Sequence, residues 1–401
     1  MAFRTLRSLD CRGKRVFVRV DFNVPLAPDG SVGDDTRIVA SLPTLRYLIE
    51  MGARLVVASH LGRPNGKRDP KQSLKPVRER LERCLRKSVA FSEAIVGAEA
   101  EASANALHDG DVLLLENLRF DPREEKNDPE FSRELARLAE QYVDDAFGAA
   151  HRAHASTAGI TAYVGACAAG FLLERELRAL GKLLTAPERP FVTILGGAKI
   201  SGKIDVLRNL LPRVERLVIG GGMMFTFLRA KGFETGRSLV EEDRIDLARE
   251  LLASTESKKL LLPEDCLVAA DVSGADPGRV VAVDKIPPGL AGVDLGPRSV
   301  EAILASLADA RTVFWNGPMG IFEVPAYSEG TREVAKAVAQ RTGSGAFTVV
   351  GGGDSLAAIH QAGLENRISH LSTGGGASLE FLEGRALPGV TALESVAGLP
   401  T

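Results

Sequence analysis

The chain has 401 residues, 45% of them hydrophobic and 25% charged, with a formal net charge of −2. That length exceeds one ordinary hydrophobic core and points to two domains or three, while the near balance of charge argues against general binding to nucleic acid or to an anionic membrane surface. The four cysteines, Cys11, Cys84, Cys167 and Cys266, lie far apart with no Cys-x-x-Cys spacing, so neither a zinc site nor a disulfide framework is expected and a reducing, cytoplasmic setting is.

The N-terminus scatters Arg4, Arg7, Asp10 and Arg12 and offers no apolar core of a signal peptide. Short β-branched runs then alternate with helical patterns. Strands are predicted at Arg15–Val20, Arg54–Ala58, Asp111–Leu115 and Tyr142–Asp144 in the first half. In the second they are predicted at Phe191–Leu195, Arg216–Ile219, Lys259–Leu261, Thr312–Trp315, Phe347–Val350 and Ile368–Leu371. Between them lie segments such as Arg37–Met51, where Ile38, Leu42, Leu45 and Ile49 recur at helical spacing around Pro43, a predicted kink. The alternation implies βαβ units, hence an α/β fold of two doubly wound, Rossmann-like lobes.

Ala155–Leu173 carries no charge, but it is mostly Ala, Gly, Ser and Thr and reads as a loop entering a packed helix rather than a membrane span. The helical run Phe171–Leu184, with Glu174, Arg175, Glu176, Arg178 and Lys182, suits a partly solvated connector and ends at Thr185-Ala186-Pro187. The expected division is an N-terminal domain over 1–170, a connecting helix over 171–186 and a C-terminal domain over 187–385, followed by a tail over 386–401.

Ligands in open α/β sheets bind beyond the carboxyl ends of strands, and the unusual residues fall there. The first lobe offers Asp21-Phe22-Asn23, His60-Leu61-Gly62-Arg63, Glu116-Asn117-Leu118-Arg119 and a loop holding His151, Arg152 and His154, with Arg37 opening a helix. Guanidinium forks match phosphate and carboxylate groups, so Arg37, Arg63, Arg119 and Arg152 form a candidate small-anion site. The histidines suit either acid–base work or structural hydrogen bonding.

The second lobe is rich in glycine at the same places. Gly196-Gly197-Ala198-Lys199 leads to Lys203, and if helical the two lysines share a face that either holds phosphates or is merely solvated. Gly220-Gly221-Gly222, Asn316-Gly317-Pro318-Met319-Gly320 with Glu323, Gly351-Gly352-Gly353-Asp354-Ser355 and Ser372-Thr373-Gly374-Gly375-Gly376-Ala377-Ser378 follow apolar runs. Backbone N–H groups in such loops can face an anion, and Asp354 is a candidate Mg²⁺ ligand. Ile204 stands where a Walker A loop needs Ser or Thr, and no G-x-G-x-x-G fingerprint is present.

Read from end to end, the pattern resembles the phosphoglycerate kinase family. The likeness is carried by Arg19-Val20-Asp21-Phe22-Asn23-Val24-Pro25, His60-Leu61-Gly62-Arg63-Pro64, Glu116-Asn117-Leu118-Arg119-Phe120 and Asp145-Ala146-Phe147-Gly148 with His151-Arg152-Ala153-His154. It continues through the glycine-rich runs above and Trp315-Asn316-Gly317-Pro318-Met319-Gly320. The resemblance implies phosphoryl transfer between ATP and the carboxylate of 3-phosphoglycerate. It further implies that Asp21, Phe22, Asn23, Arg37, His60, Leu61, Gly62, Arg63, Arg119 and Arg152 bind the phosphoglycerate. Gly196, Lys199, Lys203, Gly220, Gly292, Asn316, Glu323, Gly352, Gly353, Asp354 and Ser355 would surround ATP or ADP, with Glu323 toward the ribose and Asp354 toward Mg²⁺. Arg37, Lys199, Lys203, Gly374 and Gly375 would stabilise the moving phosphoryl group. A monomer whose C-terminal residues return to the first lobe is implied, and hinge closure about Phe171–Leu184 is expected, since donor and acceptor start on different lobes. Ala149, where the family often has Thr, and Gly202 depart from the pattern at positions without an assigned role.

Overall fold

The structure is a computed structural model and describes residues 3–397. The chain divides into two compact units, one running to Arg178 and resuming at Ala386, the other spanning Ala179–Arg385.

The first unit is built on strands β1 (Arg15–Arg19), β2 (Arg54–Ala58), β3 (Ala90–Ser92), β4 (Val112–Leu115), β5 (Gln141–Asp144) and β6 (Cys167–Ala169), with helices α1 (Thr36–Glu50), α2 (Lys75–Leu85), α3 (Ala98–Asn105), α4 (Pro129–Ala136) and α5 (Phe171–Thr185). The strands pair in parallel in the order β3-β4-β2-β1-β5-β6. Runs such as Val-Leu-Leu-Leu in β4 are apolar at every position because a parallel sheet is covered on both faces. Helix α1 buries Ile38, Leu42, Leu45 and Leu48, the last in place of the expected Ile49. It runs through Pro43, whose missing N–H leaves the Val39 carbonyl without its helical donor, and Val39 lies on the solvent side at 47% exposure, where water can reach it. Helix α4 starts sharply because Asp128 accepts from the Phe131 N–H at 2.9 Å and Pro129 occupies the first turn.

The second unit continues with β7 (Phe191–Leu195), β8 (Arg216–Ile219), β9 (Leu260–Leu261), β10 (Asp265–Ala269), β11 (Arg279–Ala282), β12 (Ala291–Leu295), β13 (Thr312–Asn316), β14 (Phe347–Gly351) and β15 (His370–Ser372). Its helices are α6 (Ile204–Leu210), α7 (Met224–Ala230), α8 (Ile245–Ala253), α9 (Pro297–Leu307), α10 (Glu329–Gly343), α11 (Gly353–Gln361) and α12 (Gly376–Leu382). A parallel sheet of order β15-β14-β13-β7-β8-β9 reverses direction of growth between β7 and β13, the doubly wound arrangement whose crevice receives ligands. Trp315, Phe191, Phe314 and Phe227 fill its core. Helix α13 (Pro388–Ala397) then belongs to the first unit, where it packs against β6.

Three findings depart from the expectations. A three-stranded antiparallel sheet, β11-β10-β12, adds to the two parallel ones. The connector charges are not uniformly solvated, because Glu176 is fully buried. Lys199 and Lys203 precede α6 rather than sharing a helical face. Among the described residues no helix is long and apolar enough to cross a membrane. Ala155–Leu173 breaks into turns, β6 and the start of α5.

Candidate active site

In the first unit the loops leaving β1, β2, β4 and β5 interlock at one sheet edge. Asn117 binds the β2 loop through the Leu61 N–H at 3.2 Å and the Leu61 carbonyl at 2.7 Å, and reaches the Gln72 carbonyl at 2.9 Å. Asn23 accepts from the Gly62 N–H at 2.8 Å, and Ser59 accepts from the Phe22 N–H at 2.8 Å. These amide and hydroxyl groups fix the loop backbones and leave the long cationic side chains to face outward.

Beneath them lies a buried polar network. Arg19, with 0% exposure, donates to Ser156 Oγ at 2.9 Å and to the Val20 carbonyl, and lies 3.1 Å from His60 Nδ1. Ser156 in turn donates to Glu124 at 2.5 Å. Asp21 meets the Arg37 guanidinium at 2.5 Å. Burial alone would raise the Asp21 carboxyl, but the charges of Arg37 and Arg19 and the Asn23 N–H act against it, and the carboxyl lies below the usual range. His60 is driven well below its ordinary value by burial, with Arg19, Arg119 and Arg37 adding to the effect against Asp21. His154 is pushed down to about 3 by burial and then by Arg19, Arg119 and Arg152. Both imidazoles are therefore neutral near pH 7 and serve as hydrogen-bonding groups.

Arg119 donates to the Gly62 carbonyl at 2.9 Å and lies 3.2 Å from Glu125. Arg63 and Arg152 are exposed, and among the described residues neither guanidinium has an ion-pair partner. Gly148, from the β5 loop, lies so close to Asp21 that any side chain there would overlap its carboxylate. The side chains of Phe22 and Leu61 are 0% and 4% exposed and pack in the core of the unit beneath these loops. Arg19, Asn117, Ser156 and Glu124 had no expected role, and their partners lie too far along the chain for spacing to reveal.

The second unit builds its site from backbone. Gly196 N–H donates to the Asn316 carbonyl at 2.9 Å, Gly197 N–H to Pro318 at 2.7 Å and Gly221 N–H to Met319 at 3.1 Å. Gly317, at φ +95°, packs against Gly196, and a side chain there would overlap both the Gly196 carbonyl and Lys203 Nζ. In this crevice Lys203 Nζ donates to the carbonyls of Gly196 at 2.6 Å and Asn316 at 3.0 Å. Burial brings its pKa down to about 8, partly offset by the Asp354 carboxylate. Lys199 stands exposed in the same loop.

Next to the crevice opens a cavity of about 410 Å³, lined by Gly197, Gly222, Phe225, Gly292, Glu323 and Asp354 among others. Gly292 is required there because any side chain would run into the Phe225 ring. Leu239 and Val272, 47% and 52% exposed, also border this cavity and offer apolar faces that sequence spacing did not reveal. Several of the residues expected around the nucleotide do not line this cavity. Gly220 is buried against Met319, Asn316 spans to the Gly351 carbonyl at 2.8 Å, and Ser355 accepts from the Gly317 N–H at 2.6 Å. Gly196, Gly352 and Gly353 shape the loops without bordering the cavity, and Gly375, at φ +54°, precedes α12, which starts at Gly376.

Among the described residues no group of three or more His, Cys, Asp or Glu side chains is arranged to hold a metal ion. A lone exposed carboxylate, Asp354, in the first turn of α11 fits Mg²⁺, which in nucleotide sites takes one or two carboxylates and completes its shell with phosphate oxygens and water.

Two parallel-sheet units, one presenting arginine forks and the other a glycine-lined cavity beside a half-buried lysine, define an α/β phosphotransferase. The family model described as phosphoglycerate kinase matches residues 6–385. The chain is 53% identical over 395 residues to the phosphoglycerate kinase of Prosthecochloris aestuarii, covering 98% of this chain and 100% of that one. It is 56% identical to that of Moorella thermoacetica, covering 98% and 99%. The solved structure of phosphoglycerate kinase from Coxiella burnetii superposes with a TM-score of 0.88 at 40% identity, covering 98% of this chain and 100% of that one. The chain belongs to the phosphoglycerate kinase family. Its reaction is the reversible transfer of a phosphoryl group between ATP and the carboxylate of 3-phosphoglycerate, giving 1,3-bisphosphoglycerate and ADP, a step of glycolysis.

Proposed function

We propose that the reaction is divided between the two units. Arg37, Arg63, Arg119 and Arg152, with Asp21, Asn23, His60 and Gly62, bind 3-phosphoglycerate. The glycine-lined cavity takes ATP or ADP, with Glu323 toward the ribose and Asp354 holding Mg²⁺, which neutralises phosphate charge. The observation that carries this reading is the contrast at the strand ends: a cluster of guanidinium groups in one unit, with those of Arg63 and Arg152 exposed, and in the other an ammonium group beside a cavity of nucleotide-compatible size.

The attacking carboxylate is already ionised near neutral pH, so no general base is needed. What remains is repulsion between two anions, which positioning and charge stabilisation must overcome. In this reading Lys203 leaves its two carbonyl partners for phosphate oxygens, Lys199 reaches the same group from its exposed loop, and Arg37 approaches from the acceptor side. The N–H groups of Gly374 and Gly375 complete the set. The protein works as a monomer, and its units draw together during turnover.

The test is a coupled assay with ATP, Mg²⁺ and 3-phosphoglycerate, with glycerate offered in its place. Strong preference for the phosphorylated acceptor is expected, to be lost stepwise in Arg63→Ala and Arg152→Ala. Equal turnover of glycerate would remove the phosphate-reading role from these arginines.

A further inference from the structure

Asp294 lies in β12 on the wall of the cavity, and the roles above leave it out. Its side chain is buried, yet only one of its oxygens is engaged. Oδ2 accepts the Gly330 N–H at 2.9 Å in the first turn of α10. Oδ1 has no hydrogen-bond partner among the described residues. It is enclosed by two glycines from separate places: a methyl group on Gly320 would overlap it, and one on Gly330 would come within 2.6 Å. Burial pushes this carboxyl up to about 6, with the Gly330 and Leu295 N–H groups and the charge of Arg332 acting in the other direction.

Gly320 and Gly330 are the two ends of the loop that carries Glu323. Other bonds hold this loop at single points: Ile321 N–H to the Val293 carbonyl at 2.9 Å, and Tyr327 Oη to the Asp271 carbonyl at 2.8 Å. Thr331 Oγ1 takes the Met319 N–H at 3.0 Å and the Gly320 N–H at 3.3 Å, which ties the two ends of the loop together. Asp294 bonds one end and packs against the other, so together with Thr331 it closes the neck of the loop. A loop closed at its neck loses conformers and presents the residues between in one place.

We infer that Asp294 is a positioning residue for the nucleotide: by closing the neck of loop 320–330 it sets where the Glu323 carboxylate meets the ribose. This rests on the reading of Glu323 as the ribose acceptor. An Asp294→Asn side chain keeps the shape and one acceptor but loses the charge, whereas Asp294→Ala removes the neck contact altogether. A role in folding alone would lower the melting temperature and leave discrimination between sugars intact.

The test compares kcat/KM for ATP with that for 2′-deoxy-ATP in the wild type, Asp294→Asn, Asp294→Ala and Glu323→Gln, with melting curves alongside. The preference for the ribose nucleotide is expected to shrink about three- to tenfold in Glu323→Gln and in Asp294→Ala, and by a smaller factor in Asp294→Asn. KM for 3-phosphoglycerate is expected to stay within about twofold of the wild type. If Glu323→Gln compresses the preference and neither Asp294 variant does, the inference fails and the Glu323 reading stands. If Glu323→Gln leaves the preference unchanged, the ribose reading fails and the inference fails with it.

Discussion

In the proposed division of the reaction the two units face the same problem, holding an anion beyond the end of a parallel sheet, and they meet it with opposite materials. The first uses side chains: guanidinium groups stand on loops stitched together by Asn117, Asn23 and Ser59, above a buried Arg19–Ser156–Glu124 network. The second uses the absence of side chains, bringing the loops after β7, β8 and β13 into backbone contact around one lysine. The first site should therefore fail when atoms are removed, and the second when atoms are added.

The sharpest break is expected at Lys203. Lys203→Ala removes the ammonium group from the crevice and should lower kcat by about 10²–10³, with a smaller change in KM for 3-phosphoglycerate; a pure KM effect would assign Lys203 to ground-state binding. Gly317→Ala adds one methyl against the Gly196 carbonyl and Lys203 Nζ at a φ that side chains rarely adopt. It should cost about 10²-fold in kcat/KM for ATP, with the fold of the first unit retained by circular dichroism. Arg37→Ala, a removal in the first unit, should lower turnover about 10–10²-fold and also release Asp21 from its partner.

Acid–base behaviour sharpens the same contrast. Lys203 in the free enzyme loses its proton near pH 8, so kcat/KM for ATP should fall as pH rises through that value, and Lys203→Arg should move the fall upward. The first unit carries the reverse case. Asp145 is fully buried, accepts the Leu172 N–H at 2.8 Å, and is pushed up to about 8 by burial, against the bonds from Thr44 and Leu172. Its folded pKa lies above the unfolded value, so the folded state binds the extra proton and stability declines as pH rises from about 4 to about 8. Asp145→Asn should thus gain melting temperature over the wild type by a few degrees at pH 8, with a smaller gain at pH 5; an equal gain at both would remove the linkage.

Much of this was legible in the sequence. Apolar runs mark the central strands because both faces of a parallel sheet are covered, and the charged or glycine-rich residues that follow them mark the ligand edge. The small antiparallel sheet escaped notice because β11 is half-exposed and the Asp271–Gly278 loop interrupts the pattern. Helical spacing misplaced Lys199 and Lys203, since Gly202 and the turn at Ser201–Lys203 delay α6. The family resemblance implied Gly220, Asn316 and Ser355 as residues around the nucleotide. None of the three lines the cavity; Asn316 and Ser355 are engaged with the Gly351 carbonyl and the Gly317 N–H, partners that the sequence does not display.

The chain leaves the first unit in α5 and returns to it at Ala386, so both ends are fastened to the same body. Arg4 accepts from the Ala169 N–H at 3.0 Å near the start, and α13 packs on β6 near the end. The second unit is thus an uninterrupted stretch set inside the first. During synthesis the later unit has all its strands available before the earlier one receives its last helix. The last helix of the first unit, α13, is therefore made after every strand and helix of the second, so the unit that is begun first is finished last.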